Sequence, residues 1–187
     1  MISVIPQLTQ PVKLILKGIL CFLMVSCWHN PPTPDEIKSL LRQPQGRFKI
    51  ITKNGKEIKL RLALTMAQKT QGLSGVMPEE FAEDEGMFFF YERLGPRYFW
   101  MPNTFFNLHI IFLNEDLVVL KIAANMPFHK GIDQSIPIPR TPTYLAQHVL
   151  EIKSSSTLVK EIKIGDQLKW IGALSLAEIK SNIHLLQ

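Results

Sequence analysis

The sequence predicts a mainly β domain of the α+β class, a sheet of short antiparallel strands with two or three short helices at its periphery. Three observations carry that expectation. Asn54-Gly55, a strong hairpin signal, lies between two stretches that alternate apolar and polar side chains. The apolar runs Gly86–Tyr91, Leu108–Leu113 and Leu117–Ala123 are strand-length rather than helix-length and are separated by turn residues. Helix signals are confined to brief capped stretches. At 187 residues, 46% hydrophobic and 20% charged, the chain suits one domain with a real core.

Taken in order, residues 14–26 form an apolar stretch behind Lys13, with Lys17 near its start. Its uninterrupted part, residues 18–26, falls short of the ~20 apolar residues that span a bilayer and suits the hydrophobic region of an export signal. It ends in Leu23-Met24-Val25-Ser26-Cys27, which resembles the lipobox of bacterial lipoproteins, with Met24 where leucine is commoner. That resemblance implies a signal peptide over 1–26, cleavage after Ser26, and acylation of Cys27 as a membrane anchor. The alternative is a buried helix or uncleaved anchor whose cysteine is incidental. Cys21 and Cys27 are the only cysteines, so the body has no disulfide framework and no thiol chemistry. Residues 1–26 hold two lysines and no acid; without them the charge drops from +5 to +3, with 19 basic and 16 acidic residues. The cations are scattered singly, which argues for a solvated surface and against a nucleic-acid groove.

Residues 27–46 read as a tether and a short helix. Thr33 caps it, Pro34 fits its first turn, Glu36 completes a capping box, and Pro44 stops it. The main domain is expected over 47–171. Phe48, Ile50 and Thr52 alternate with polar neighbours, and Glu57–Leu64 returns across the hairpin with one face wet. Thr65 caps a short helix that Gly72 ends, and residues 74–86 form an acid-rich, solvated loop. Gly86–Tyr91 is apolar on both sides and should be covered on both faces. Further strands are expected around Tyr98–Met101, Leu108–Leu113, Leu117–Ala123 and Tyr144–Ile152. The proline-rich segment 125–143 cannot be a central strand and reads as a lid or edge cover. Ser154–Glu161 reads as a serine-capped helix, and Gly165-Asp166 turns into a last strand through Trp170. Ser175 and Glu178 frame a second capping box that starts a C-terminal helix within 172–187.

The order of motifs from Phe48 to Trp170 resembles the prokaryotic family known as domain of unknown function 192. The matching pieces are Gln71-Gly72-Leu73, Glu85-Gly86-Met87-Phe88-Phe89-Phe90, Phe99-Trp100-Met101-Pro102-Asn103-Thr104 and Asn107-Leu108-His109-Ile110-Ile111-Phe112-Leu113. Tyr144-Leu145-Ala146, Val149-Leu150-Glu151-Ile152 and Ile164-Gly165-Asp166 follow in the family's order. The resemblance implies a small, barrel-like single domain, often behind an export signal, with no established activity. Two positions depart from the family pattern: Pro102 stands where lysine is common and His109 where aspartate is common. Any chemistry needing that lysine–aspartate pair is in doubt here.

Four residues are candidate ligand-binding positions: Trp100, Asn103, Thr104 and His109. An aromatic face beside amide and hydroxyl groups suits a sugar or a peptide, although such a tryptophan is more often in a core with its indole N–H on a carbonyl. Asn103 and Thr104 can equally hold a turn through their own backbone. His109 in an apolar strand is usually a satisfied core or rim residue, and a base only where a carboxylate orients it. No histidine pair shows ligand spacing, so no metal site is expected, and no cofactor motif or nucleophile motif occurs. The expected function is therefore that of a membrane-tethered binding or accessory protein of the cell envelope, lipid-anchored through Cys27 on a periplasmic or outer face. Its partners would be the bilayer and a small ligand or an envelope protein, with no nucleic acid. The rival reading is a hydrolase of envelope polymer or glycan with His109 as base and Glu85 or Asp116 as acid.

Overall fold

A computed structural model of the protein describes residues 32–42, 46–133 and 135–186. The expected export signal, Cys27, the expected tether before Pro32 and the expected stop at Pro44 lie outside these residues. Helix α1, Pro34–Arg42, is capped as its sequence dictates: the Glu36 N–H donates to Thr33 Oγ1 at 3.3 Å, and the Glu36 carboxylate accepts from the Thr33 N–H at 2.7 Å. Strands β1 (Phe48–Ile51) and β2 (Glu57–Ala63) form the expected hairpin, with Gly55 at φ 79° in its turn. Strand β3 (Glu85–Phe89) then pairs parallel to β2, so the chain between them must cross one face of the sheet. That crossover carries helix α2, Met66–Gln71, whose capping box joins Thr65 and Gln68.

Strands β4 (Gly95–Arg97), β5 (Leu108–Leu113), β6 (Val119–Met126), β7 (Tyr144–Ala146), β8 (His148–Lys153) and β9 (Lys169–Gly172) follow, and helix α3 spans Leu176–Asn182 behind the Ser175–Glu178 capping box. Seven strands make one mixed sheet in the order β6-β5-β8-β3-β2-β1-β9, while β4 and β7 form a separate pair. Side chains alternate between its two faces. One face, with Phe88, Ile111, Leu150 and Ile152, is covered by Ile37 and Leu41 of α1 and Ile179 of α3. The other, with Phe89, Leu108, Ile110 and Val149, is covered by loop residues, chiefly Phe81, Phe99 and Met101. Gly86 is a close-approach glycine, since a Cβ there would lie 2.7 Å from Leu150 Cδ1. Among the described residues no helix is long and apolar enough to cross a membrane.

The mainly β, α+β class holds, and five expectations need correction. The sheet is not closed into a barrel and is not wholly antiparallel. Among the described residues its edges meet where the turn before β9 reaches the start of β6, through the Val118–Gln167 bridge and bonds that include one of 2.9 Å from the Val119 N–H to the Asp166 carbonyl. Tyr98–Met101 is extended, but only Trp100 is bridged, because its neighbour is the proline-rich segment. Tyr144–Ile152 is two strands. Gln147 donates its N–H to the Leu113 carbonyl at 2.8 Å and turns the chain from the small sheet into the large one. The helix expected over Ser154–Glu161 is a 3₁₀ turn, Thr157–Glu161, capped by Ser156.

Candidate functional site

The segment after β4 straps across the loop-covered face. Phe99 and Met101 point inward and are buried, whereas Tyr98 and Trp100 point outward, Trp100 with 51% of its surface exposed. The proline-rich segment runs beside this strap and holds it by main-chain bonds. The Thr141 N–H donates to the Phe99 carbonyl at 2.8 Å, the Met101 N–H reaches the Pro139 carbonyl at 2.9 Å, and the Thr141 side-chain hydroxyl accepts the Phe99 N–H at 3.0 Å. Pro137, Pro139 and Pro142 have no N–H to give, so the pairing never becomes a ladder. The segment is a lateral brace for the strap; it is not a lid above Trp100.

Asn103 and Thr104 end the strap. Asn103 sits at φ 49°, a left-handed conformation that asparagine tolerates, and its N–H and carbonyl bond to Gly131 at 2.6 Å and Gly75 at 2.8 Å. Buried Thr104 donates its hydroxyl to the Met101 carbonyl at 3.0 Å and accepts the His129 N–H at 3.1 Å. Both residues thus build the turn, and they bring Trp100 and Pro102 against the end of α2. Between these lies a cavity of about 40 Å³, lined by Trp100, Pro102, Thr104, Gly72, Phe89, Phe99 and, at its floor, Glu151 of β8.

Glu151 is the residue that reading the sequence missed. It is 4% exposed, stands opposite Ile110 on β5 and Met87 on β3, and burial pushes its carboxyl up to about 8. Neither a hydrogen bond nor a charge contributes to that shift. The available signal was an acid inside a run, Ala146–Ile152, whose other members are apolar or uncharged. A carboxyl that stays protonated near neutrality can donate a proton or a hydrogen bond, and on ionising becomes a strong counter-ion in a dry setting.

The remaining predicted residues do not converge on this cavity. His109 lies at the far side of β5. Its Nδ1 is 3.0 Å from Ser154 Oγ and 3.4 Å from the Asn125 N–H, and burial holds its imidazole below the usual range. Asp116 is exposed in the turn beyond the other end of β5. Glu85 is bonded to Arg61 at 2.8 Å and occupies the opposite face from His109, because its neighbour Gly86 is in register with Ile152 and through it with His109. The acid–base set of the hydrolase reading is therefore not assembled. The acidic loop is tied down rather than free: Asp84 pairs with Lys59 at 2.7 Å and Glu83 with Lys153 at 3.4 Å. Among the described residues no group of three or more histidines, cysteines or acids is placed to hold a metal.

Comparison with known proteins agrees with the motif order. The family model described as DUF192, Uncharacterized ACR, matches residues 49–170. A crystal structure of a protein of unknown function from Novosphingobium aromaticivorans DSM 12444 is similar, with a TM-score of 0.54 and 29% identity, over 66% of this chain and 84% of that one. A second, from Sinorhizobium meliloti 1021 and named as a candidate transcription regulator, has a TM-score of 0.51 and 27% identity, over 66% of this chain and 92% of that one. Curated proteins yield no match.

Proposed function

The chain belongs to the DUF192 family of uncharacterised proteins, and from that premise we propose that it is a non-catalytic ligand-binding or accessory domain, tethered to the bacterial cell envelope through Cys27. One observation carries the binding role: a braced strap keeps a half-exposed tryptophan over a cavity with a polar floor. A large aromatic ring left in water at the rim of a hollow is a common anchor for ligands, and a rigid strap lowers the entropy cost of using it. The envelope location is supported by the signal-like stretch that ends in Ser26-Cys27. A DNA-binding role, suggested by the name of the Sinorhizobium meliloti protein, finds no support in the singly scattered cations.

Two measurements test this reading. Palmitate incorporation should be lost in Cys27→Ala; labelling that persists removes the tether. A small-ligand screen of wild type against Trp100→Ala should lose its hits in the variant while the thermal midpoint holds. Hits that survive the loss of the indole would place binding elsewhere.

A further inference from the structure

The floor of the cavity has a chemistry of its own. A carboxyl as buried as Glu151 is ordinarily matched by a cation or by several N–H donors, since leaving it alone wastes its solvation. Here its register neighbours are Ile110 and Met87, which offer neither. Lys69 reaches the rim, but its ammonium lies over the Tyr91 ring, 4.7 Å from the ring centre, and makes no ion pair with Glu151.

The other walls share one preference. Phe89, Phe99 and Trp100 are among the lining residues, and aromatic rings attract cations at their faces. Residues of the last turn of α2 join the lining, and among the described residues the Lys69 and Thr70 carbonyls there take no backbone N–H. Carbonyls at a helix C-terminus carry partial negative charge. With about 40 Å³ the cavity is larger than the ~10–15 Å³ a single water requires and far smaller than the roughly 150 Å³ that admits benzene. It fits one small head group and excludes a ring.

We infer that the cavity receives a single protonated primary amine at the end of a ligand chain, with Glu151 as its counter-ion and Trp100 flanking the chain at the mouth. This rests on the Trp100 cleft being the binding site. The proton balance is simple. Glu151 releases its proton to water as the ammonium enters, and the amine keeps its own. Affinity therefore rises with pH while the carboxyl ionises, and falls again only near the amine's own pKa, about 10.4 for a lysine-like amine.

The test uses the full chain with n-butylammonium chloride as probe and n-butanol as its uncharged counterpart, read by NMR with ¹³C-labelled glutamate. Butylammonium should bind about tenfold more tightly than butanol, about tenfold more weakly to Glu151→Gln than to wild type, and more tightly as pH rises from about 6 to 8. In wild type the Glu151 carboxyl carbon should shift to its ionised position as the probe is added, a readout that does not depend on any variant folding. Equal binding of ammonium and alcohol, both lost in Trp100→Ala, would overturn the amine and leave the cleft as a binding site. Binding of the ammonium that is unchanged in Glu151→Gln would also overturn it. Failure of either probe to perturb Glu151 or Trp100 would overturn both readings.

Discussion

Strand β8 carries three buried ionisable side chains, and two of them, His148 and Glu151, look into opposite faces of the sheet. His148, on the helix-covered face, lies between the rings of Phe88 and Phe90 at 5.2 and 5.0 Å, and its Nδ1 accepts the Tyr91 N–H at 3.3 Å. Burial, together with the charges of Arg97, Lys69 and Lys180, pushes it down to about 4. Glu151, on the loop-covered face, is pushed up to about 8 and meets a cavity. Both are mainly uncharged at neutral pH, for opposite reasons. The difference teaches what each kind of cover does. Helices seal a face with close apolar packing and force a polar group to find its partner inside. A braced loop leaves room, and the polar group beneath it is left for a partner from outside.

Opening the packing on each side is the harshest way to break this contrast. Phe88→Ala should cost roughly 3–5 kcal/mol in urea unfolding, and Met101→Ala about 2 kcal/mol, because a loop strap relaxes into the vacated space more readily than a central strand. Equal losses would mean that both covers pack alike. Next come the two titrations. The folded value of Glu151 lies above its ordinary 4.5, so its stabilising effect is complete below about pH 4.5 and is lost as pH climbs through about 8. Glu151→Gln should therefore gain on wild type, on the order of 3–5 kcal/mol, between about pH 5 and 9. The folded value of His148 lies below 6.5, so its contribution is complete above that and is lost as pH falls towards about 4. His148→Gln should remove roughly 2–3 kcal/mol of that acid sensitivity. Wild-type stability that stays flat from about pH 7 to 9 would show that Glu151 already has a counter-charge.

Smaller effects sharpen the picture of the strap. Thr104→Val strands the Met101 carbonyl and the His129 N–H and should lower stability by about 1–3 kcal/mol. Asn103→Ala should cost about 1 kcal/mol and Asn103→Gly almost nothing, since only the left-handed backbone is at stake. Trp100→Ala should stay within about 0.5 kcal/mol of wild type while removing ligand binding.

Local chemistry was legible wherever a few neighbouring residues decide the outcome. The capping boxes at Thr33 and Ser175, the Thr65 cap and the Asn54-Gly55 hairpin needed no tertiary information. The turn role of Asn103 and Thr104 was also readable, whereas the exposure of Trp100 was not, because an aromatic in an extended run looks the same on either side of a strap. The barrel closure and the single strand over Tyr144–Ile152 failed for a related reason. Which strand pairs with which, and where the chain changes sheets, depends on partners far away in sequence, such as Gln147 with Leu113. Glu151 was hidden because an isolated acid in a strand suggests an exposed edge until both neighbouring strands are known.

The parallel pairing of β2 with β3 has one more consequence. A hairpin would have joined those strands at one end and left the sheet bare, whereas the obligatory return path lays α2 and Gly72 over it as one side of the hollow. The span from Ser74 to Met77 lies outside every strand, and its Gly75 N–H donates to the Asn103 carbonyl at 2.8 Å, so the return path is fastened to the end of the strap across the hollow. Two segments distant in sequence thereby share one joint, and a change in either is felt by both.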